Sequence, residues 1–329
     1  MIKHTTLVAL ILAFIVIVVG AYTRLTDAGL GCPDWPGCYG QLLVPESTPL
    51  YPDTPLEIPK AKTEMLHRYL ASILGCLILG IAFLSLKSNA LDKPIKIISL
   101  SLVALILAQG LLGMWTVTLK LFPLVVMGHL LGGFSTLSLL WLLYLRLHKQ
   151  HKPSKPYKTH RHFRQSRHTG HAKLKFLAFF ALIALILQLA LGGWTSANYA
   201  ALACPDFPTC LGQYWPKQLD FSPAFNLLSG LGLKFPTLGM DNDARLTIHF
   251  MHRLWAILVC MLTVILCVKL WRNQHPRFAF LLFFILCLQV TLGITNVLGK
   301  LPLSIAVMHN GVGALFLLSL ITVNVKLRE

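Results

Sequence analysis

Charge is what this sequence has least of. Only 12% of its 329 residues are charged, and acidic side chains number 12 against 29 Lys and Arg. With 55% hydrophobic residues and a mean hydropathy of +0.67, the chain has too little polar surface for a soluble domain and reads as an all-α polytopic membrane protein. The formal charge of +17 does not argue for nucleic acid, because the basic residues flank apolar runs, where they orient helices. The expected surroundings are a lipid bilayer.

Eight apolar runs, near 7–22, 65–86, 95–117, 124–145, 176–194, 250–270, 278–298 and 302–323, are each about 20 residues, enough to cross some 30 Å of hydrocarbon. The first resembles a signal peptide's hydrophobic region, with Val19-Gly20-Ala21 as a cleavage site, but its counterpart lies mid-chain, which argues against removal. From Arg146 to Lys175 there are ten Lys or Arg, six His and no acidic residue. The expected division is 1–147, a basic His-rich linker over 148–173, and 174–329. Lys87, Lys93, Lys96, the linker, Lys269, Arg272, Arg277, Lys326 and Arg328 fall on one side together with Lys3. The positive-inside rule makes that side cytoplasmic, with both termini there, and turns the two long polar segments outward. The linker itself is read as a solvated loop rather than a metal or lipid site.

The halves repeat. Gly31-Cys32-Pro33-Asp34-Trp35-Pro36-Gly37-Cys38 matches Ala203-Cys204-Pro205-Asp206-Phe207-Pro208-Thr209-Cys210, with 204 − 32 = 172; His67 maps to His252 (252 − 67 = 185) and His129 to His309 (309 − 129 = 180). Each unit has an even number of spans, so the copies share one topology about an axis along the membrane normal, as two tandem pseudo-symmetric four-helix bundles.

Histidine inside a membrane is costly and marks a site. His67 begins the second run and His129 lies about two turns into the fourth, with His252 and His309 repeating them. Paired imidazoles at one depth suit a heme iron with two axial nitrogens. Gly128, Gly132, Gly133, Gly311 and Gly313 leave room for a flat ligand or for close helix packing. Arg68 and Arg253 are candidates for heme propionates, or simply snorkel to the interface. Zinc is the competing metal, with Glu64, His67 and His129 as three ligands, but the second half has His249 where the first has Glu64, so a duplicated two-His site suits heme better. Glu64, three residues before His67 on the same helix face, is a carboxylate able to move a proton, or one paired with Arg68.

Of eight cysteines, Cys76, Cys260, Cys267 and Cys287 lie in apolar runs and read as small buried hydrophobes. Cys32/Cys38 and Cys204/Cys210 lie on the outer side, where disulfides persist. Each pair closes a short loop, either as a staple or as a redox pair.

The run from Gly20 through Arg24, Asp27 and Gly31 to Cys38, the Glu64-x-x-His67-Arg68 element, His129 and the duplicated eight-span plan resemble the heme A synthase family. The resemblance covers both halves. It implies a membrane oxidoreductase of the inner (cytoplasmic) membrane that oxidises the C8 methyl of heme O to a formyl group by successive hydroxylation. It further implies that His67 and His129 ligate the substrate heme, with Glu64, Cys32 and Cys38 as catalytic candidates, and that His252 and His309 ligate a permanent heme b. Partners so implied are heme O, a heme O synthase and cytochrome oxidase assembly factors; a homo-oligomer stays open, as does His249 against His252. The competing functions are a di-heme b cytochrome exchanging electrons with quinone and a parallel-repeat transporter.

Overall fold

The computed structural model describes residues 1–46, 55–150, 167–228 and 240–329. Most of the basic linker, residues 151–166, lies outside them. The helices, in chain order, are α1 (Ile2–Leu25), α2 (Ile58–Lys87), α3 (Lys93–Thr118), α4 (Pro123–Gln150), α5 (Arg167–Ala197), the single-turn α6 (Phe221–Ala224), α7 (Asn242–Arg272), α8 (Pro276–Leu298) and α9 (Leu303–Arg328). All except α6 contain a stretch long and apolar enough to span a bilayer, and the chain is a multi-pass membrane protein.

Proline sets where several helices begin. It occupies a first position in α2, α3 and α8, where its missing N–H costs nothing. For α2 this moves the start to Ile58, so its first two turns precede the apolar run. The start of α7 is likewise early, at Asn242, where the Asp241 carboxylate accepts from the Asn242 N–H at 2.7 Å.

Helix pairs α3/α4 and α8/α9 are joined by four-residue turns in which two consecutive residues are left-handed: Lys120 and Leu121 (φ 49° and 59°), and Lys300 and Leu301 (φ 56° and 63°). In each turn the N–H of the second left-handed residue, Leu121 or Leu301, returns to a carbonyl of the preceding helix, Thr116 at 2.8 Å and Asn296 at 2.7 Å. Such short connections force antiparallel neighbours.

Packing closes two rings of four. Helix α1 touches α2 and α4, and α3 touches α2 and α4; α5 touches α7 and α9, and α8 touches α7 and α9. The rings meet through α1 and α4 on one side and α5 and α9 on the other. In lipid, apolar burial does not drive helices together, so small residues and polar contacts must. Accordingly Gly311 lies against Val18 and Phe14, Gly193 against Leu130, and Trp141 donates to the Thr322 hydroxyl at 2.8 Å. Leu137, Leu140, Leu143 and Leu147 of α4 are buried in this centre, while Phe83 and Phe280 face outward as lipid-facing side chains do.

A polar contact also crosses the seam at the loop end. Arg24 of α1 donates to the Ser196 carbonyl at 2.7 Å, its guanidinium lies 4.1 Å from the Tyr199 ring centre, and the Tyr199 hydroxyl reaches Asp27 at 3.2 Å. Arg24 also pairs with Asp27 at 3.3 Å.

Candidate functional site

The two cysteine loops are built alike. Cys32–Cys38 and Cys204–Cys210 are disulfides, each with Cα atoms 4.8 Å apart. Within the first loop Asp34 accepts from the N–H groups of Tyr39 (2.6 Å) and Gly40 (2.8 Å); within the second Asp206 accepts from Leu211 (2.6 Å) and Gly212 (2.9 Å). Gly40 and Gly212, with φ of +75° and +73°, supply the left-handed residue that closes each turn. A hydrogen bond from the Thr209 hydroxyl, followed by the Gly212 and Leu211 amides, pulls the Asp206 carboxyl down to about 2. Burial, and then the neighbouring carboxylates Glu57, Asp34 and Glu64, push the Tyr39 phenol up.

Each loop is clamped onto the helix that carries the first histidine of its half. Arg68 of α2 donates to the carbonyls of Asp34 (2.9 Å), Pro36 (3.3 Å) and Gly37. Arg253 of α7 donates to Cys204 (2.6 Å), Asp206 (2.7 Å) and Thr209 (2.9 Å). Both candidate propionate partners thus hold loop backbone. An arginine fork suits this task, since it offers several donors in a fixed plane.

Glu64 completes the first clamp. It is buried; Oε1 takes the Arg68 Nη2 at 2.6 Å and Oε2 takes the Cys32 N–H at 2.8 Å. Sequence spacing set Glu64 beside His67, but the carboxylate also reaches the cysteine loop, and Arg68, at i+4, shares its face. The second half replaces it with His249, whose Nδ1 lies 3.2 Å from the Cys204 N–H and whose Nε2 lies 3.2 Å from the Arg253 Nε. A neutral imidazole accepts at only one of these. His249 is therefore engaged by its own loop and clamp.

The four histidines turn inward to the rings. His67 and His129 have ring centroids 6.3 Å apart and planes crossing at 84°. A single metal ion held by both rings, with bonds of about 2 Å each, would need a separation of about this size. His252 on α7 and His309 on α9 are the corresponding residues of the second half. His67, His129 and His309 each retain a buried Nδ1 with no hydrogen-bond partner. Buried polar atoms left in that state want a ligand.

Each histidine faces a glycine of a neighbouring helix. A Cβ at Gly20 (α1) would lie 2.8 Å from His67 Cε1, at Gly113 (α3) 3.4 Å from His129 Cε1, at Gly192 (α5) 3.2 Å from His252 Cε1, and at Gly293 (α8) 3.2 Å from His309 Cε1. These are not the glycines that sequence reading singled out. Gly128 faces Leu112, Gly132 faces Gln109, and Gly133 faces Ile17. The signal was the same-offset recurrence, 192 − 20 = 172 and 293 − 113 = 180, which the cysteine and histidine registers already contained.

Three glutamines share the histidine environment. Gln188 Nε2 lies 3.2 Å from His252 Nδ1 and Gln289 Nε2 lies 3.3 Å from His309 Nε2, while Gln109 stands beside Gly132, close to His129. Among the described residues no group of three or more His, Cys, Asp or Glu converges as a metal site. That disfavours zinc. The donor set that fits is a pair of imidazoles, each ring seated against a glycine of a neighbouring helix, and it suits a planar metal macrocycle.

Comparison with known proteins points the same way. The family COX15-CtaA, described as cytochrome oxidase assembly protein, matches residues 3–321. A protein of Shewanella oneidensis named heme A synthase is 48% identical over 325 residues, covering 96% of this chain and 94% of the relative. Proteins of the same name from Halalkalibacterium halodurans and a Chelativorans species are 26% and 25% identical, over 90% and 92% of this chain and 86% and 84% of their own.

Proposed function

Because this chain belongs to the cytochrome oxidase assembly protein family COX15-CtaA, we propose that it is a heme A synthase, an oxidoreductase that converts the C8 methyl of heme O to a formyl group by successive hydroxylation. His67 and His129 bind the substrate heme between α2 and α4, and His252 and His309 hold a heme b between α7 and α9. The observation that carries this reading is the imidazole pair of His67 and His129, 6.3 Å apart with a buried, unpartnered nitrogen on each ring. When bound, heme b supplies an iron centre that can accept electrons one at a time.

The chain's own groups divide the remaining work. Glu64 lies three residues from His67 and holds or releases a proton at Oε1 or Oε2 beside the substrate. Arg68 and the Cys32 N–H fix that carboxylate, and the Cys32–Cys38 bridge fixes the N–H. The cysteines thus act on the reaction through Glu64. Arg68 and Arg253 are positioning residues for their loops, because Arg68 Nη1 and both terminal nitrogens of Arg253 already serve loop carbonyls, and Arg68 Nη2 serves Glu64. The second half, with His249 in place of a carboxylate, lacks the acid–base group, which fits a site that relays electrons only. Lys87, Lys93, Lys269 and Arg272 at the ends opposite the cysteine loops set both termini on the cytoplasmic face and the heme sites toward the other.

The decisive measurement is the pigment inventory of the purified protein. Heme b together with heme O, heme A or a hydroxylated intermediate is expected. Heme b alone would mean a di-heme cytochrome, and a protein without heme would mean a transporter.

A further inference from the structure

At the end away from the cysteine loops, α7 and α8 enclose a cavity of about 290 Å³, lined among others by Val268, Trp271 and Arg272 of α7 and by Ala279, Phe280 and Phe283 of α8. Only Arg272 among these is charged. Trp271, Phe280 and Phe283 are each at least half exposed, so the cavity is a groove on the outer face of the helix pair, where hydrocarbon is the solvent.

The first half ties the same place together differently. By the 185 register Leu270 stands for Ser85, and by the 180 register Ala279 stands for Ser99. The Ser85 and Ser99 hydroxyls share a buried hydrogen bond of 2.9 Å between α2 and α3. Leu270 and Ala279 can form no such bond. Val268, Trp271 and Arg272 likewise take the places of Phe83, Leu86 and Lys87.

Charge gathers at the mouth of the groove without compensation. The turn from α7 to α8 is three residues long, and it brings Arg277, at the second position of α8, back beside Lys269 and Arg272. From residue 244 to 328 the chain has no Asp or Glu, and no ion pair among the described residues involves these three cations. The corresponding turn of the first half carries Asp92. An arginine fork matches a phosphate bidentately, as the lysine of the first half does not. The occupant must therefore offer hydrocarbon to the groove and an anion to its mouth. A soluble anion satisfies only the second demand and an apolar helix only the first. A basic pocket between membrane helices is where an anionic lipid headgroup sits.

We propose that the α7/α8 groove binds one anionic phospholipid of the surrounding membrane, with an acyl chain along Val268, Phe280 and Phe283 and the headgroup phosphate on Arg272. Lys269 and Arg277 add attraction at the headgroup. This goes beyond the heme chemistry and does not depend on it.

The test uses the full chain, stripped of lipid in an uncharged detergent and titrated with dioleoyl phosphatidylglycerol or dioleoyl phosphatidylcholine, with bound lipid counted by native mass spectrometry. The parent should retain one phosphatidylglycerol at concentrations where phosphatidylcholine is not retained, and its thermal midpoint should rise with the bound lipid. Arg272→Gln should weaken retention about fivefold, and Arg272→Gln with Arg277→Gln about 25-fold, as expected for each basic side chain at an anionic headgroup. Val268→Phe, which places the first half's own residue in the groove, should weaken it without any change of charge. Lys87→Gln, at the same end of the first half, should leave it unchanged. Equal retention of the two lipids, retention unaltered in both Arg272→Gln and Val268→Phe, or an equal loss in Lys87→Gln overturns the proposal. Heme content, measured on the same samples, reports separately on the heme A synthase reading.

Discussion

The Cys32 N–H donates to Glu64 Oε2 at 2.8 Å, while in the second half the Cys204 N–H lies 3.2 Å from His249 Nδ1. One position thus props a cysteine loop in both halves, with a carboxylate in one and an imidazole in the other. The loop needs only an acceptor there. The chemistry proposed for the first half needs a carboxylate.

That separation makes Glu64→His and Glu64→Gln informative. Both keep an acceptor for the Cys32 N–H, so bound heme and the Cys32–Cys38 loop should persist while formyl product falls by at least about a hundredfold, within the range a general acid–base group contributes. Product assays by chromatography of extracted heme, run beside heme content, would show it. Normal turnover in Glu64→His would reduce Glu64 to a prop. Glu64→Leu removes one partner of a buried ion pair and should also cost about 3 kcal/mol of stability.

The disulfides should act mainly as staples. Each closes a loop of six-residue separation, for which the chain-entropy estimate is about 2 kcal/mol. Cys204→Ser with Cys210→Ser should lower the thermal midpoint in detergent yet leave turnover near normal, since no catalytic carboxylate leans on that loop. Cys32→Ser with Cys38→Ser should lose turnover as well, by freeing the Cys32 N–H from Glu64.

Glycines opposite the histidines should be intolerant in a graded way. The Gly20→Ala Cβ would stand 2.8 Å from His67 Cε1, whereas Gly113→Ala leaves 3.4 Å at His129. The first must displace the ring and should raise KM for heme O several-fold, and the second should be mild. Gly192→Ala and Gly293→Ala, at 3.2 Å, should lower heme b occupancy in pyridine hemochrome assays while sparing the first site. Overpacking of this kind costs about 1–3 kcal/mol where nothing can give.

Asp206 gives a pH dependence with a definite sign. Its folded value, about 2, lies below the ordinary carboxylate value of 3.8. The stability it contributes is present above pH 3.8 and is lost as pH falls from there through about 2. Hydrogen exchange at the Leu211 and Gly212 amides should accelerate over that window. Asp206→Asn should remove the pH dependence and exchange quickly at every pH.

The eight spans, the duplicated cysteine and histidine registers and the inward histidines were legible because each leaves a periodic or spaced trace in one dimension. The glycines facing the rings left only an offset, and offsets become persuasive after contacts give them meaning. The early starts of α2 and α7 escaped because hydrophobicity marks the bilayer and not the helix, and polar turns such as Lys60 to Glu64 extend past it. Glu64's second partner was hidden for another reason. Cys32 is 32 residues away, and the loop that returns it to α2 is held by backbone groups that carry no residue-specific signal.

The Arg24 contact across the seam has a consequence for how the halves recognise one another. The positions matching Arg24 and Asp27 by the 172 offset are Ser196 and Tyr199, the two residues they touch. Had the duplicated unit kept its sequence, two guanidinium groups would oppose each other where one now finds a carbonyl and an aromatic face. Divergence at these two places makes the junction heterotypic. Fragments cut within the linker and produced together should accordingly reassemble as unlike pairs and reject like ones.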